Sequence, residues 1–170
     1  MTVDARGEKL VTVKQGWESD APLEAVFDLV KDSLTWESWT IADRVEMECY
    51  GQEDRHGPGA IRVVTASFIG QSDKRVLREK ILEVIPYKRI RYCVLDGLPF
   101  IDYNAQVDFM RRPGGGVRLE WQASFYPEFE GEGPMLRRLV EMVFRVIMRQ
   151  ACVAVRYPAV RRAPRLNAAA

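Results

Sequence analysis

Residues 131–158 read GEGPMLRRLVEMVFRVIMRQACVAVRYP, and the rest of the chain is organised around them. Pro134 opens the run at a first-turn position, where a missing N–H costs no hydrogen bond, and Pro158 closes it. Residues 134 to 157 predict one continuous helix, about twice the mean helix length. Arg138, Glu141, Arg145, Arg149 and Arg156 recur at spacings of three, four or seven and form a polar stripe. Leu136, Leu139, Val140, Val143, Ile147, Ala151 and Ala154 fall on the opposite face, so the Leu139/Val143/Ile147 side is expected to pack. A face that broad needs an apolar surface to lie on.

The preceding residues supply it. LVTVKQGW alternates as a first strand, and SDAPLEAVFDLVKD follows as a helix. In that helix Ser19 or Asp20 can cap, Pro22 lies near the first helical position, and Ala25, Val26, Leu29 and Val30 form an apolar stripe. SLTWESW reads as a second short helix carrying Trp36 and Trp39. RVEMECYG, PGAIRVVTASFIG, DKRVLREKILEVI, YKRIRYCVLDG, IDYNAQVDFMRR and VRLEWQASFYP then read as six strands separated by Gly- and Pro-bearing turns. Short turns force antiparallel neighbours, because a parallel crossover needs a dozen or more residues. The expected fold class is α+β, with a curved seven-stranded antiparallel sheet wrapped around the long C-terminal helix. No repeat or low-complexity linker marks a boundary, so residues 1–170 are expected to form a single domain with its core at about 8–157. Residues 1–7 and 158–170 are polar or basic termini.

A tight turn at Gln71–Ser72 would place Val64 opposite Glu79 and Arg62 opposite Ile81. Continuing through the later turns puts Tyr92 near Ile81, Tyr103 near Val94 and Trp121 near Val107. One face then collects Val64, Ala66, Phe68, Leu77, Ile81, Ile90, Val94, Ala105, Val107, Phe109, Leu119, Trp121, Ala123 and Phe125. The other shows Lys80, Arg89, Arg91, Asp102, Asn104, Gln106, Asp108, Arg118, Glu120 and Gln122, the pattern of a sheet with one wet side.

Composition excludes several function classes. The 25 basic and 24 acidic residues nearly cancel, so no overall field favours nucleic acid. The arginine-rich tail RYPAVRRAPR reads as a solvated terminus. Cys49, Cys93 and Cys152 have neither disulfide nor zinc spacing, and each is expected to be a small buried hydrophobe. MTVDARGEK lacks the apolar core of a signal peptide, and no run reaches the ~20 apolar residues of a membrane span. A cytoplasmic protein without stable membrane insertion is expected, and a homodimer is compatible with the pattern.

The element order resembles the helix-grip fold of the START and birch-pollen-allergen-like superfamily, and the polyketide cyclase/dehydrase and lipid-transport group in particular. The residues that carry the resemblance are AP after the first strand, GPGAIR at Gly57–Arg62, REK at Arg78–Lys80, RIRY at Arg89–Tyr92 and LEW at Leu119–Trp121. The likeness spans about residues 8 to 157. It implies a cavity between sheet and C-terminal helix that holds a lipid, sterol, polyketide or similar small molecule. GQEDRHGPG matches the plant allergens' glycine-rich loop only roughly, and no phosphate role follows for it.

Polar residues interrupt the apolar face: Arg62, Glu79, Tyr92 and Tyr103 on the strands, and Gln150 on the helix. In the register above Arg62 and Glu79 are diagonal neighbours. Three roles fit them: a self-satisfied buried ion pair, the polar end of a ligand pocket, or acid–base catalysis by Glu79, which an adjacent guanidinium disfavours. His56 is the only histidine and reads as an exposed loop residue, so no catalytic triad or metal site is assembled. Trp36, Trp39, Trp121 and Phe125 either fill the core or wall a cavity. The candidate ligand-binding residues are therefore Trp36, Trp39, Arg62, Phe68, Glu79, Tyr92, Tyr103, Trp121, Phe125, Val143, Ile147 and Gln150. No catalytic residue is assigned, and no metal or cofactor is expected. The expected function is a carrier or sensor of a small apolar ligand. The alternatives are a polyketide cyclase, dehydratase or isomerase, and a protein-interaction module without ligand.

Overall fold

The computed structural model describes residue 7 and residues 9–67 and 74–161. Short turns produce an antiparallel meander from β2 (Ala42–Cys49) through β3 (Ile61–Ser67), β4 (Lys74–Ile85), β5 (Arg89–Asp96) and β6 (Phe100–Arg111) to β7 (Val117–Pro127). β1 (Val11–Ser19) pairs with β7, giving the order β1-β7-β6-β5-β4-β3-β2. Between β1 and β2 the chain crosses from one edge of the sheet to the other. It does so through α1 (Leu23–Lys31), a 3₁₀ turn at Ser33–Thr35 and the single helical turn α2 (Trp36–Trp39). The long helix α3 (Gly133–Arg156) is continuous, packs on β1, β7 and α1, and completes the helix-grip architecture.

The alternation in β3–β7 places the expected residues inward. Val64, Ala66, Leu77, Ile81, Ile90, Ala105, Val107, Phe109, Leu119, Trp121, Ala123 and Phe125 are buried, and Val94 is half-buried against them. Ile81 opposes Tyr92 and Val107 opposes Trp121 as expected, while the β5–β6 ladder ends at Cys93–Asn104, one step before Val94 and Tyr103. The β3–β4 register is corrected by two residues: Val64 faces Leu77, and Arg62 faces Glu79 directly rather than diagonally. A two-residue slip leaves the inward set unchanged, because the side-chain period of a strand is two. The tight turn expected at Gln71–Ser72, and Phe68, lie outside the described residues.

Two helix expectations change. In α1, Pro22 occupies the N-cap, so neither Ser19 nor Asp20 caps. Ser19 Oγ instead accepts from the Ala21 N–H at 3.1 Å, and Asp20 pairs with Arg112 at 2.8 Å. Ala25 is exposed, and Leu23 and Phe27 join Val26, Leu29 and Val30 inside. α3 is rotated from the expected packing: Leu136, Val140, Phe144, Met148, Ala151, Cys152 and Ala154 are buried. Leu139 is exposed, and Val143 and Ile147 are only half-buried, because their side of the helix meets a hollow instead of a filled layer.

An irregularity in the β6–β7 ladder between Ile101 and Asn104 coincides with Asp102 at φ +54°, a left-handed conformation that aspartate tolerates. It shifts the alternation, so Phe100 and Tyr103, three residues apart, both reach the interior and stack with centroids 5.5 Å apart.

Candidate ligand cavity

The hollow has a volume of about 370 Å³ and lies between the N-terminal half of α3, the inner faces of β3–β7 and the end of α2. Val64, Ala66 and Leu77 form one wall, Leu98, Pro99 and Phe100 another, and Leu136, Leu139, Val140, Val143, Phe144 and Ile147 line it from the helix. Trp36, Glu79, Tyr92, Tyr103 and Trp121 complete it, and Phe129, Glu132, Met135 and Arg75 also border it. Phe129, Met135 and Leu139 are exposed to solvent and so mark its mouth.

Its polar residues are tied to one another. Arg62 is 3% and Glu79 8% exposed, and the Arg62 Nε–H donates to Glu79 Oε2 at 2.6 Å. The same guanidinium lies 3.9 Å from the ring centre of Trp36 and 5.3 Å from that of Tyr92, so aromatic faces offset part of its desolvation. Trp36 in turn donates its Nε1–H to the Val30 carbonyl at 3.0 Å, which fixes the ring between α1 and β3. The guanidinium therefore lies against the Trp36 and Tyr92 rings, and Glu79 borders the cavity.

Beside it, the Tyr92 hydroxyl oxygen accepts from Trp121 Nε1 at 3.1 Å, and the Tyr103 ring centre lies 6.4 Å from that of Tyr92. Burial, reinforced by the Glu79 charge, pushes the Tyr92 hydroxyl above the usual phenol range; burial does the same to Tyr103. Both phenols stay protonated at neutral pH and act as hydrogen-bond donors, not bases. With its oxygen accepting from Trp121, the hydroxyl of Tyr92 keeps its proton for an acceptor in the cavity.

The sequence matches the model of the family described as polyketide cyclase / dehydrase and lipid transport, over residues 11–151. The chain belongs to that family. Among solved structures, a START superfamily protein from Mycobacterium smegmatis superposes with a TM-score of 0.75 at 14% identity, covering 86% of this chain and 97% of its own. The di-domain aromatase/cyclase StfQ of the steffimycin biosynthetic pathway gives 0.71 at 14%, covering 88% of this chain and 52% of its own. XoxI from Bacillus cereus gives 0.66 at 14%, covering 88% and 98%. At these identities the likeness shows the fold alone. No curated protein sequence matches the chain.

Within this polyketide cyclase/dehydrase family member, Trp36, Glu79, Tyr92, Tyr103, Trp121, Val143 and Ile147 line the cavity, and Arg62 stands directly behind Glu79. Phe125 is fully buried and stacks on Phe100 at 4.2 Å, so it supports the wall without lining it. Trp39 and Gln150 are placed elsewhere, in a groove beside the C-terminal half of α3 with Trp17, Arg145, Arg149 and Arg161. The rotation of α3 moves Gln150 there, and its Oε1 is buried without a partner among the described residues.

Sequence reasoning missed Phe144, Phe100 and the mouth residues Phe129 and Met135. The shifted alternation at Asp102 hides Phe100 from a period-two reading, Phe129 belongs to a loop, and Met135 lies in the first turn of α3, outside the expected packing face. His56 is half-buried, not exposed: Asp32 Oδ1 lies 3.3 Å from its Nε2, Nδ1 has no partner among the described residues, and burial lowers its pKa. Of the cysteines only Cys152 is fully buried, and burial pushes its thiol up to about 11; Cys93 is half-buried and Cys49 exposed. No described helix is long and apolar enough to cross a membrane.

Proposed function

We propose that the protein binds a small, mainly apolar molecule bearing one hydrogen-bond acceptor, as a carrier or sensor. The observation that carries this reading is an aromatic and aliphatic cavity whose polar end presents the Tyr92 hydroxyl, while its buried acid Glu79 is already paired with Arg62. An apolar body in such a hollow gains from dehydration, and a carbonyl or hydroxyl oxygen receives the tyrosine proton. A cytoplasmic location agrees with a chain that has no helix able to cross a membrane among its described residues.

The test is saturable binding of an environment-sensitive apolar dye, displaced by a fatty acid, a sterol or an aromatic polyketide. Native mass spectrometry of freshly purified protein then searches for a co-purified molecule. Trp121→Arg, which places a charge in the wall, is expected to abolish displacement. A folded protein with no displaceable site would refute the reading and favour a protein-interaction module.

A second reading, a cyclase or dehydratase, is favoured by one feature: the Tyr92 proton sits beside the Glu79 carboxylate in the same wall, an arrangement able to polarise a ligand carbonyl. It predicts turnover of a poly-β-ketone that Tyr92→Phe removes while dye binding persists. A carrier shows no turnover and only weaker affinity in that variant.

A further inference from the structure

Besides its buried face, α3 carries a second apolar line that is largely open to solvent. Met135 is 59%, Leu139 37%, Met142 47% and Val146 38% exposed, spaced three and four residues apart. Glu132 and Arg149 continue the same spacing at its two ends. This is the period of a two-helix seam, whereas scattered surface hydrophobics carry no period.

The order of these residues is what selects the occupant. Turned about its midpoint between residues 140 and 141, the line maps onto itself: Leu139 meets Met142, Met135 meets Val146, and Glu132 meets Arg149. A two-fold axis requires this of a surface that pairs with its own copy. Neither Glu132 nor Arg149 has an ion-pair partner among the described residues, and ~25 Å of helix separates them, so they cannot satisfy each other within one chain. We infer that α3 is the dimer interface of this protein, with two copies packed antiparallel along Met135–Val146 and closed at each end by Glu132 of one protomer against Arg149 of the other.

Arg138 and Arg145 flank the line and approach their like-charged counterparts near the axis, although Arg145 is held by Gln15 Oε1 at 3.1 Å. The ends attract, the flank repels, and the apolar seam decides the balance. Met135 and Leu139 belong both to the seam and to the cavity mouth, so the partner copy would cover that mouth. The pairing itself holds whether or not the cavity is occupied.

Sedimentation equilibrium on the full chain tests it, with circular dichroism to confirm folding. Met142→Glu, at an exposed position, is expected to give a folded monomer. Glu132→Arg and Arg149→Glu are each expected to weaken the dimer about tenfold, since two symmetric pairs turn from attraction to repulsion. The double variant should restore the original constant, which only antiparallel pairing allows. A monomeric wild-type protein at ~100 µM, a dimer indifferent to Met142→Glu, or a double variant no better than the singles each overturns the proposal. So does a monomer that co-floats with phosphatidylglycerol vesicles through this face, which would make the arginine flank a membrane contact.

Discussion

Replacing Glu79 with Gln tests whether the buried pair supports the fold or serves the ligand. Arg62 is 3% exposed and its Nε–H bonds Glu79 Oε2 at 2.6 Å, so the substitution leaves a buried guanidinium without its counter-charge. Breaking such a pair commonly costs ~3–5 kcal/mol. Glu79 borders the cavity, which lets solvent reach the stranded cation, and the glutamine oxygen still accepts one bond; both place the expected loss near the lower limit, about 3 kcal/mol. For a chain of this size that lowers the melting temperature by about 6–12 °C. The double variant Arg62→Met with Glu79→Leu removes the desolvation cost and is expected to recover more than half of the loss. A shortfall of ~1 kcal/mol remains, because the guanidinium that lies 3.9 Å from the Trp36 ring centre is gone. Differential scanning calorimetry of the wild-type protein and the two variants, with dye titration on each, decides the matter. If Glu79→Gln melts at the wild-type temperature or above while ligand affinity collapses, the pair is functional and the structural reasoning is refuted.

Four further outcomes follow from the packing and electrostatics. Phe144→Ala removes a buried ring stacked 5.3 Å from Trp121 and is expected to cost ~3–5 kcal/mol in chemical denaturation, whereas Val143→Asp, facing the hollow, should leave the protein folded and block dye binding. His56, whose pKa burial depresses despite Asp32 and Asp54 nearby, binds a proton less readily folded than unfolded; stability is therefore full above about pH 6.5 and falls on acidification below it. His56→Gln should flatten that part of a stability–pH curve, and an unchanged slope would rule His56 out as its source. Gly97, at φ +98° with an added Cβ falling 1.9 Å from the Val76 carbonyl oxygen, should not tolerate alanine, which a clear drop in melting temperature would show.

The layers of this protein are legible in local pattern alone. Alternation in β3–β7 names most of the inward residues even where the β3–β4 register shifts by two, because a slip of two preserves the face. Pro134 and Pro158 bracket α3 for a local reason, the constraint each ring places on its own backbone. Tyr92, Tyr103, Glu79 and Trp121 were legible as candidates because polar and aromatic groups interrupt an apolar face.

Which apolar surfaces meet protein and which meet space is settled by the assembled fold. The apolar residues of α3 extend around most of its circumference, so periodicity cannot separate the packed line of Val140, Phe144 and Met148 from Val143 and Ile147 at the cavity, or from Met142 in solvent. That choice depends on whether the facing strands carry enough side-chain volume to fill the gap, which is a property of the assembled sheet and not of any one segment. The direct contact of Arg62 with Glu79 likewise depended on register across a turn, and the displacement of Gln150 from the cavity depended on the rotation of one helix.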